Sequence, residues 1–138
     1  MKRTIAMLVL FASSAYAADT WEHVVTSATG NKFYIRNIEK KDDIYQFWLK
    51  IDNPPISECK NIQDKSPACD KAIEKNPIGS MTYKAQINCK TSKSKSLDNI
   101  VYDRRGDTIG MTSETGKEKW ETVFPDTTTE VILKRLCK

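Results

Sequence analysis

The residues of this 138-residue chain able to do chemistry are few, and their spacing argues against catalysis. His23 is the only histidine. A Ser-His-Asp or Cys-His site would have to use it, yet it lies in a stretch that reads as a strand, and no nucleophile-elbow sequence is present. The four cysteines, Cys59, Cys69, Cys89 and Cys137, are separated by nine, nineteen and forty-seven residues. That spacing contains no C-x-x-C pair of the kind zinc sites use. Asp42 and Asp43 sit in a turn without a second histidine nearby, and the five glycines form no phosphate-cradling loop. The chain is therefore expected to have no catalytic residues, no metal and no cofactor.

Binding chemistry is better represented. Arg104-Arg105 stands at the tip of an expected hairpin, and Lys93 and Lys95 stand in a neighbouring polar stretch. Together they are candidates for a basic patch that attracts sulfated glycans or anionic protein segments. Trp48 is a candidate contact residue for a ligand or for a second copy of the chain, because aromatic residues are enriched at interface cores.

The elements that position these residues begin after the first 17. Lys2 and Arg3, the apolar run Ile5–Ala12, and Ala15-Tyr16-Ala17 have the layout of a secretory signal peptide. Residues 18–138 are then expected to be one exported domain of about 121 residues. No cysteine stands at the cleavage site for a lipid anchor, and no other apolar run is long enough for a membrane span. Without Lys2 and Arg3 the 22 basic residues fall to 20, against 18 acidic ones. A balance that close gives no reason to expect a nucleic-acid partner.

Period-two alternation marks the strands. It is clearest in Ser80–Cys89, where Met81, Tyr83, Ala85, Ile87 and Cys89 share one face. In Ile44–Asp52, Tyr45, Phe47, Leu49 and Ile51 share a face, which puts Trp48 on the opposite one. Further strands are expected at Trp21–Thr26, Phe33–Arg36, Ile100–Tyr102, Thr108–Met111 and Trp120–Phe124. Lys90–Asp98 reads as a polar basic loop. The stretch 53–79 breaks the pattern, with four prolines and two cysteines, and Ala68–Lys75 has room for one or two helical turns. After Pro125, Thr127 and Glu130 have the spacing of a capping box, hydroxyl to backbone and carboxylate back to the cap. In the helix that follows, Ile132, Leu133, Leu136 and Cys137 lie on one arc, with Val131 stranded among polar residues.

An even cysteine count in an exported chain reads as two disulfides, with three possible pairings. Cys59–Cys69 with Cys89–Cys137 is favoured. The first pair brackets one polar loop, and the second joins the apolar faces of a strand and of the last helix. The expected fold is mainly β (α+β): a curved antiparallel sheet of about six or seven short strands packed on one C-terminal helix.

Taken in order, Trp21, Tyr34-Ile35, Phe47–Asp52, Ser80, Ile87-Asn88-Cys89, Tyr102-Asp103, Gly106, Trp120, Phe124-Pro125 and Cys137 resemble the pattern of the bacterial surface-adhesin protein E-like family. The resemblance spans nearly all of residues 18–138. It implies a six-stranded antiparallel sheet with a packed C-terminal helix, extracytoplasmic placement and binding to host surface molecules. It supplies no catalytic residues. The 53–79 stretch with its cysteine pair looks like an insertion relative to the family, and the missing lipid-attachment cysteine makes a periplasmic or secreted location the expectation alongside cell-surface display.

The function expected from the sequence is thus an exported, non-enzymatic, adhesin-like binding protein with a protein or glycan ligand on a host or envelope surface, and with a homodimer as one mode of self-association. The alternative is a small periplasmic inhibitor of a lysozyme or protease that uses loop 53–79.

Overall fold

The computed structural model describes residues 20–113 and 119–138, so the expected signal peptide at 1–17 lies outside the described residues. The strands are β1 (Glu22–Thr26), β2 (Lys32–Lys41) and β3 (Ile44–Asp52), then, after helix α1 (Pro67–Lys75), β4 (Ile78–Asn88), β5 (Lys93–Asp103), β6 (Thr108–Thr112) and β7 (Glu121–Thr122). Helix α2 (Thr128–Leu136) closes the chain. The strands form one antiparallel sheet in the order β1-β2-β3-β4-β5-β6, and β7 pairs with the opposite end of β5 from β6.

Alternation in β2, β3 and β4 commits one face of this sheet to the core. Ile35, Phe47, Ala85 and Ile87 are buried on it, and Tyr45, Leu49 and Cys89 pack around them. Apolar burial of this kind stabilises by about 25 cal/mol per Å² removed from water, which makes the shared face the main driving force for docking α2. The helix lays Ile132 and Leu136 into the core, with Leu133 and Cys137 beside them, while Val131 stays 39% exposed. A curved antiparallel sheet with the C-terminal helix packed on it is the expected fold.

Two links hold the helix in place besides apolar contact. Cys89 and Cys137 are disulfide-bonded with their Cα atoms 5.4 Å apart. Arg135 donates to Glu22 Oε1 and, at 3.3 Å, to the His23 carbonyl, which ties α2 to β1. At the start of the helix Thr127 Oγ1 accepts from the Glu130 amide at 3.2 Å, as a capping box requires. The Glu130 carboxylate departs from expectation. It accepts from the Asp126 amide at 2.9 Å, one residue before the cap, where Asp126 takes a left-handed φ of 60°.

Bulges bend the sheet. In β2 the register against β3 shifts between Arg36 and Glu39, with Asn37 at φ 50°. An extra residue on one strand bends it and increases its twist. In β4 the register shifts between Ile78 and Ser80. A Cβ on Gly79 would stand 2.5 Å from the Asp103 carbonyl oxygen, so only glycine allows β4 and β5 to approach this closely.

Two sequence expectations are corrected. Lys90–Asp98 is not a loop: β5 begins at Lys93, and Lys93, Ser94, Lys95 and Ser96 pair with β4 from Asn88 back to Ala85. Serine and lysine carry no strand signature, and the ladder of β4 recruits them regardless, since strand propensity yields to context. The Trp120–Phe124 strand shrinks to Glu121–Thr122, and Phe124 is 67% exposed. The expected short helix within 53–79 is present as α1, capped by Ser66 Oγ accepting from the Cys69 amide at 3.3 Å.

Candidate functional site

The face of the sheet opposite α2 carries the candidate site. Cross-strand register sorts its side chains into rows. One row runs His23, Tyr34, Lys50, Thr82, Ile100, Met111. A second runs Lys32, Asp52, Ser80, Tyr102, and a third runs Arg36, Trp48, Lys84. Trp48 therefore lies on the outer face, as parity requires when Phe47 is 2% exposed in the core. It is half-buried, and it lines a cavity of about 450 Å³ with Trp21, Arg36, Lys50 and Tyr102. Among the described residues, no side chain of 53–79 lines that cavity, so the excursion does not cover Trp48.

Cations and rings interleave on this face. The Arg36 guanidinium carbon is 4.3 Å from the Trp21 ring centroid. Lys50 Nζ is 5.4 Å from the Trp21 ring and 5.0 Å from that of Tyr34, and it pairs with Asp52 Oδ2 at 3.2 Å. These distances are within the range of cation–π attraction. The stack presents aromatic area in a fixed orientation with positive charge beside it. None of this was legible as a site from the sequence, because Trp21, Tyr34, Arg36 and Lys50 converge only through strand register.

The excursion 53–79 forms a wall at one end of the face. Cys59 and Cys69 are bonded across it with Cα atoms 4.7 Å apart. Beneath it lies a cavity of about 690 Å³ whose lining includes Lys32, Tyr34, Pro54, Ile56, Ile62 and Arg105. The 60–66 turn is held from within by Asp64. Its carboxylate accepts from the Lys60 and Ser66 amides, each at 2.9 Å, and these bonds keep its pKa below the ordinary 3.8.

The predicted basic patch does not assemble. Lys93 opens β5, while Arg104 and Arg105 follow its last residue, which sets the pairs roughly 30 Å apart along the strand. Lys95 places its ammonium 4.7 Å from the Trp120 ring centroid. The two arginines turn onto the excursion instead of into solvent. Arg104 donates from Nε to the Asn76 carbonyl at 3.1 Å and from Nη1 to that of Pro54 at 2.6 Å. Arg105 reaches the Ile62 carbonyl at 2.9 Å, the Asp64 carbonyl at 3.1 Å and Asp70 Oδ1 at 2.6 Å. A long irregular segment exposes carbonyls that no ladder satisfies, and a guanidinium with five donors is suited to collect them. Burial also lowers the Arg104 pKa from its ordinary value, as expected for a cation drawn into the protein. The hairpin tip that carries these arginines is set by Asp103, whose carboxylate accepts from the Arg105 and Asp107 amides at 2.8 and 2.9 Å, with Gly106 at φ 90°.

His23 is exposed, shares a 2.9 Å hydrogen bond with Thr26 Oγ1 and meets Tyr34 edge to face at 5.4 Å. Among the described residues, no group of three His, Cys, Asp or Glu side chains is placed to hold a metal ion. No described helix is long and apolar enough to cross a membrane.

The fold has crystallographic relatives. A structure of Haemophilus influenzae protein E in its second crystal form superposes with a TM-score of 0.52 at 15% sequence identity, covering 85% of this chain and 86% of that one. Another structure of Haemophilus influenzae protein E gives a TM-score of 0.51 at 16% identity, covering 85% of this chain and 83% of that one. No curated protein sequence matches the chain. Residues 21–138 match the sequence pattern of surface-adhesin protein E. With that match across the sheet and the closing helix, the chain belongs to the surface-adhesin protein E family.

Proposed function

We propose that this chain is an exported, non-enzymatic binding protein of the adhesin type, and that the outer sheet face around Trp48 is its contact surface. One observation carries the reading. Helix α2 covers one face of the sheet, and the other face holds Trp21, Tyr34 and Trp48 interleaved with Arg36 and Lys50. Rigid aromatic area beside positive charge is the profile of an interface anchor. Two disulfides fit an oxidising compartment, and family membership favours surface molecules of a host as the ligand. Residues 1–17 act as the cleaved signal peptide in this reading, and the mature chain is periplasmic, secreted or displayed at the cell surface.

The test has two arms. Intact mass of exported protein should lack Met1–Ala17, and the protein should be labelled on intact producing cells by a membrane-impermeant reagent. Trp48→Ala should abolish adhesion of the purified protein to host cells with its melting temperature nearly unchanged. A loss of roughly 3–5 kcal/mol in stability would instead identify Trp48 as a core residue, and unchanged adhesion would remove it from the contact surface.

A second reading, a small periplasmic inhibitor acting through 53–79, is favoured by one feature. Ile62 is 65% exposed on a turn pinned by a disulfide, by Asp64 and by Arg105. Preorganisation of this kind lowers the entropy lost on insertion into a partner. Ile62→Asp should abolish any inhibition seen against a panel of lysozymes and proteases; a panel left uninhibited by the parent protein removes this reading.

A further inference from the structure

The cavity beneath the excursion and the cavity beside Trp48 share Ser80 and Gly106 in their walls. They adjoin along the strands, from the Lys32–Asp52–Ser80 row toward the Arg36–Trp48 row, and together form one trough. β2, β3 and β4 each pair with a strand on both sides. The floor therefore offers side chains and no open ladder groups, and an extended peptide lying on it would find none of the backbone partners that a sheet edge supplies.

What the floor does offer is specific in kind. Trp21, Tyr34 and Trp48 supply flat apolar area. Asp52, Asn53, Ser80 and Thr82 supply short polar groups. Lys32, Lys50 and Lys60 supply positive charge. Pyranose rings have apolar C–H faces that lie on aromatic rings, hydroxyls that pair with short polar side chains and, in uronates, a carboxylate that pairs with a cation. Lys50 is paired with Asp52, and Arg104 and Arg105 direct their donors to the excursion, so the positive charge presented to a ligand is sparse and suits spaced carboxylates better than single-stranded DNA or a heavily sulfated chain.

We propose that the trough binds a carboxylate-bearing polysaccharide, with sugar rings on Trp21, Tyr34 and Trp48 and uronate carboxylates directed to Lys32 and Lys60. This rests on the outer face being the contact surface and names the class of its ligand.

The experiment titrates the mature protein with sodium hyaluronate, sodium polygalacturonate, dextran, heparin and oligo-dT at low salt, followed by tryptophan fluorescence and calorimetry. Saturable binding to hyaluronate or polygalacturonate, with none to dextran and weaker binding to heparin and oligo-dT, is expected. Trp21→Ala and Trp48→Ala should each raise Kd at least tenfold. Lys32→Glu, an exposed change that spares the packing, should raise it about tenfold and steepen no other ligand's response. The proposal is overturned by an absence of saturable binding to both uronate polymers, by binding that Lys32→Glu leaves unchanged, or by tighter binding to heparin or oligo-dT. If Trp48→Ala abolishes adhesion to host cells while neither uronate polymer binds, the ligand class falls and the contact surface stands. If the polymers bind as expected but the parent protein does not adhere to cells, the ligand class stands and the adhesin reading falls.

Discussion

Arg105 Nη2 donates to Asp70 Oδ1 at 2.6 Å across 35 residues of chain, and the same guanidinium holds the carbonyls of Ile62 and Asp64. The hairpin tip between β5 and β6 thus positions the excursion, and the excursion walls the trough. The ion pair itself is worth little, since Asp70 is 56% exposed. The geometric work is done by the bonds to backbone carbonyls, which have no ladder partners to fall back on.

Replacing Arg105 with Ala should free the 60–66 turn. Amide exchange at Lys60–Ser66 should accelerate, and global stability should fall by about 1–2 kcal/mol, in line with loss of charge-assisted hydrogen bonds at a partly exposed site. Lys at this position should not restore protection, because an ammonium cannot span the same acceptors. Unchanged exchange in Arg105→Ala would show that the disulfide alone orders the turn.

The two disulfides should differ in both size and reach. In the chain-entropy model, removing Cys59–Cys69 costs about 2.7 kcal/mol and removing Cys89–Cys137 about 4 kcal/mol. Loss of the second should also raise amide exchange through α2 and β1, since the helix keeps only its apolar contacts and Arg135. Urea denaturation of the paired Cys→Ala variants, with exchange mapping, measures both effects. Equal losses confined to the excursion would contradict this assignment.

Gly79→Ala should be destabilising, by roughly 1–3 kcal/mol, because the new Cβ meets the Asp103 carbonyl. The damage should appear at the bonds that meet there. Asn53 donates its amide to the Gly79 carbonyl at 2.9 Å, and Arg104 donates its amide to the Pro77 carbonyl at 3.0 Å. Thermal unfolding and exchange at those two amides provide the check. A variant as stable as the parent would mean that β5 moves away without loss.

Asp64 should make the excursion acid-sensitive. Its folded-state pKa lies below the ordinary 3.8, held down first by the Lys60 amide and then by that of Ser66. The contribution is therefore present in full above the ordinary value and is lost as pH falls through the depressed one. Exchange at the Lys60 and Ser66 amides should rise below about pH 4. Asp64→Asn should remove that pH dependence, and a carboxyl resonance titrating at the ordinary value would refute it.

The parts of this protein that depend on neighbours in sequence were legible in the sequence. Alternation in Ile44–Asp52 placed Phe47 inward and Trp48 outward, since strand parity allows one solution once a face is buried. The helical wheel carried through Cys137 put that residue on the apolar arc of Ile132, Leu133 and Leu136, and the pairing with Cys89 followed from two apolar faces. The tertiary structure decided what depends on register and on unsatisfied backbone. Lys93–Ser96 became a strand because β4 offered open ladder groups, and no alternation announced it. Arg104 and Arg105 look in sequence like any charged hairpin tip. Their partners are carbonyls up to 50 residues away, and a carbonyl carries no residue type by which to be recognised. The outer face gathered Trp21, Tyr34, Arg36, Trp48 and Lys50 by the same mechanism, since a bulge and three ladders fix which side chains become neighbours and no local pattern encodes that choice.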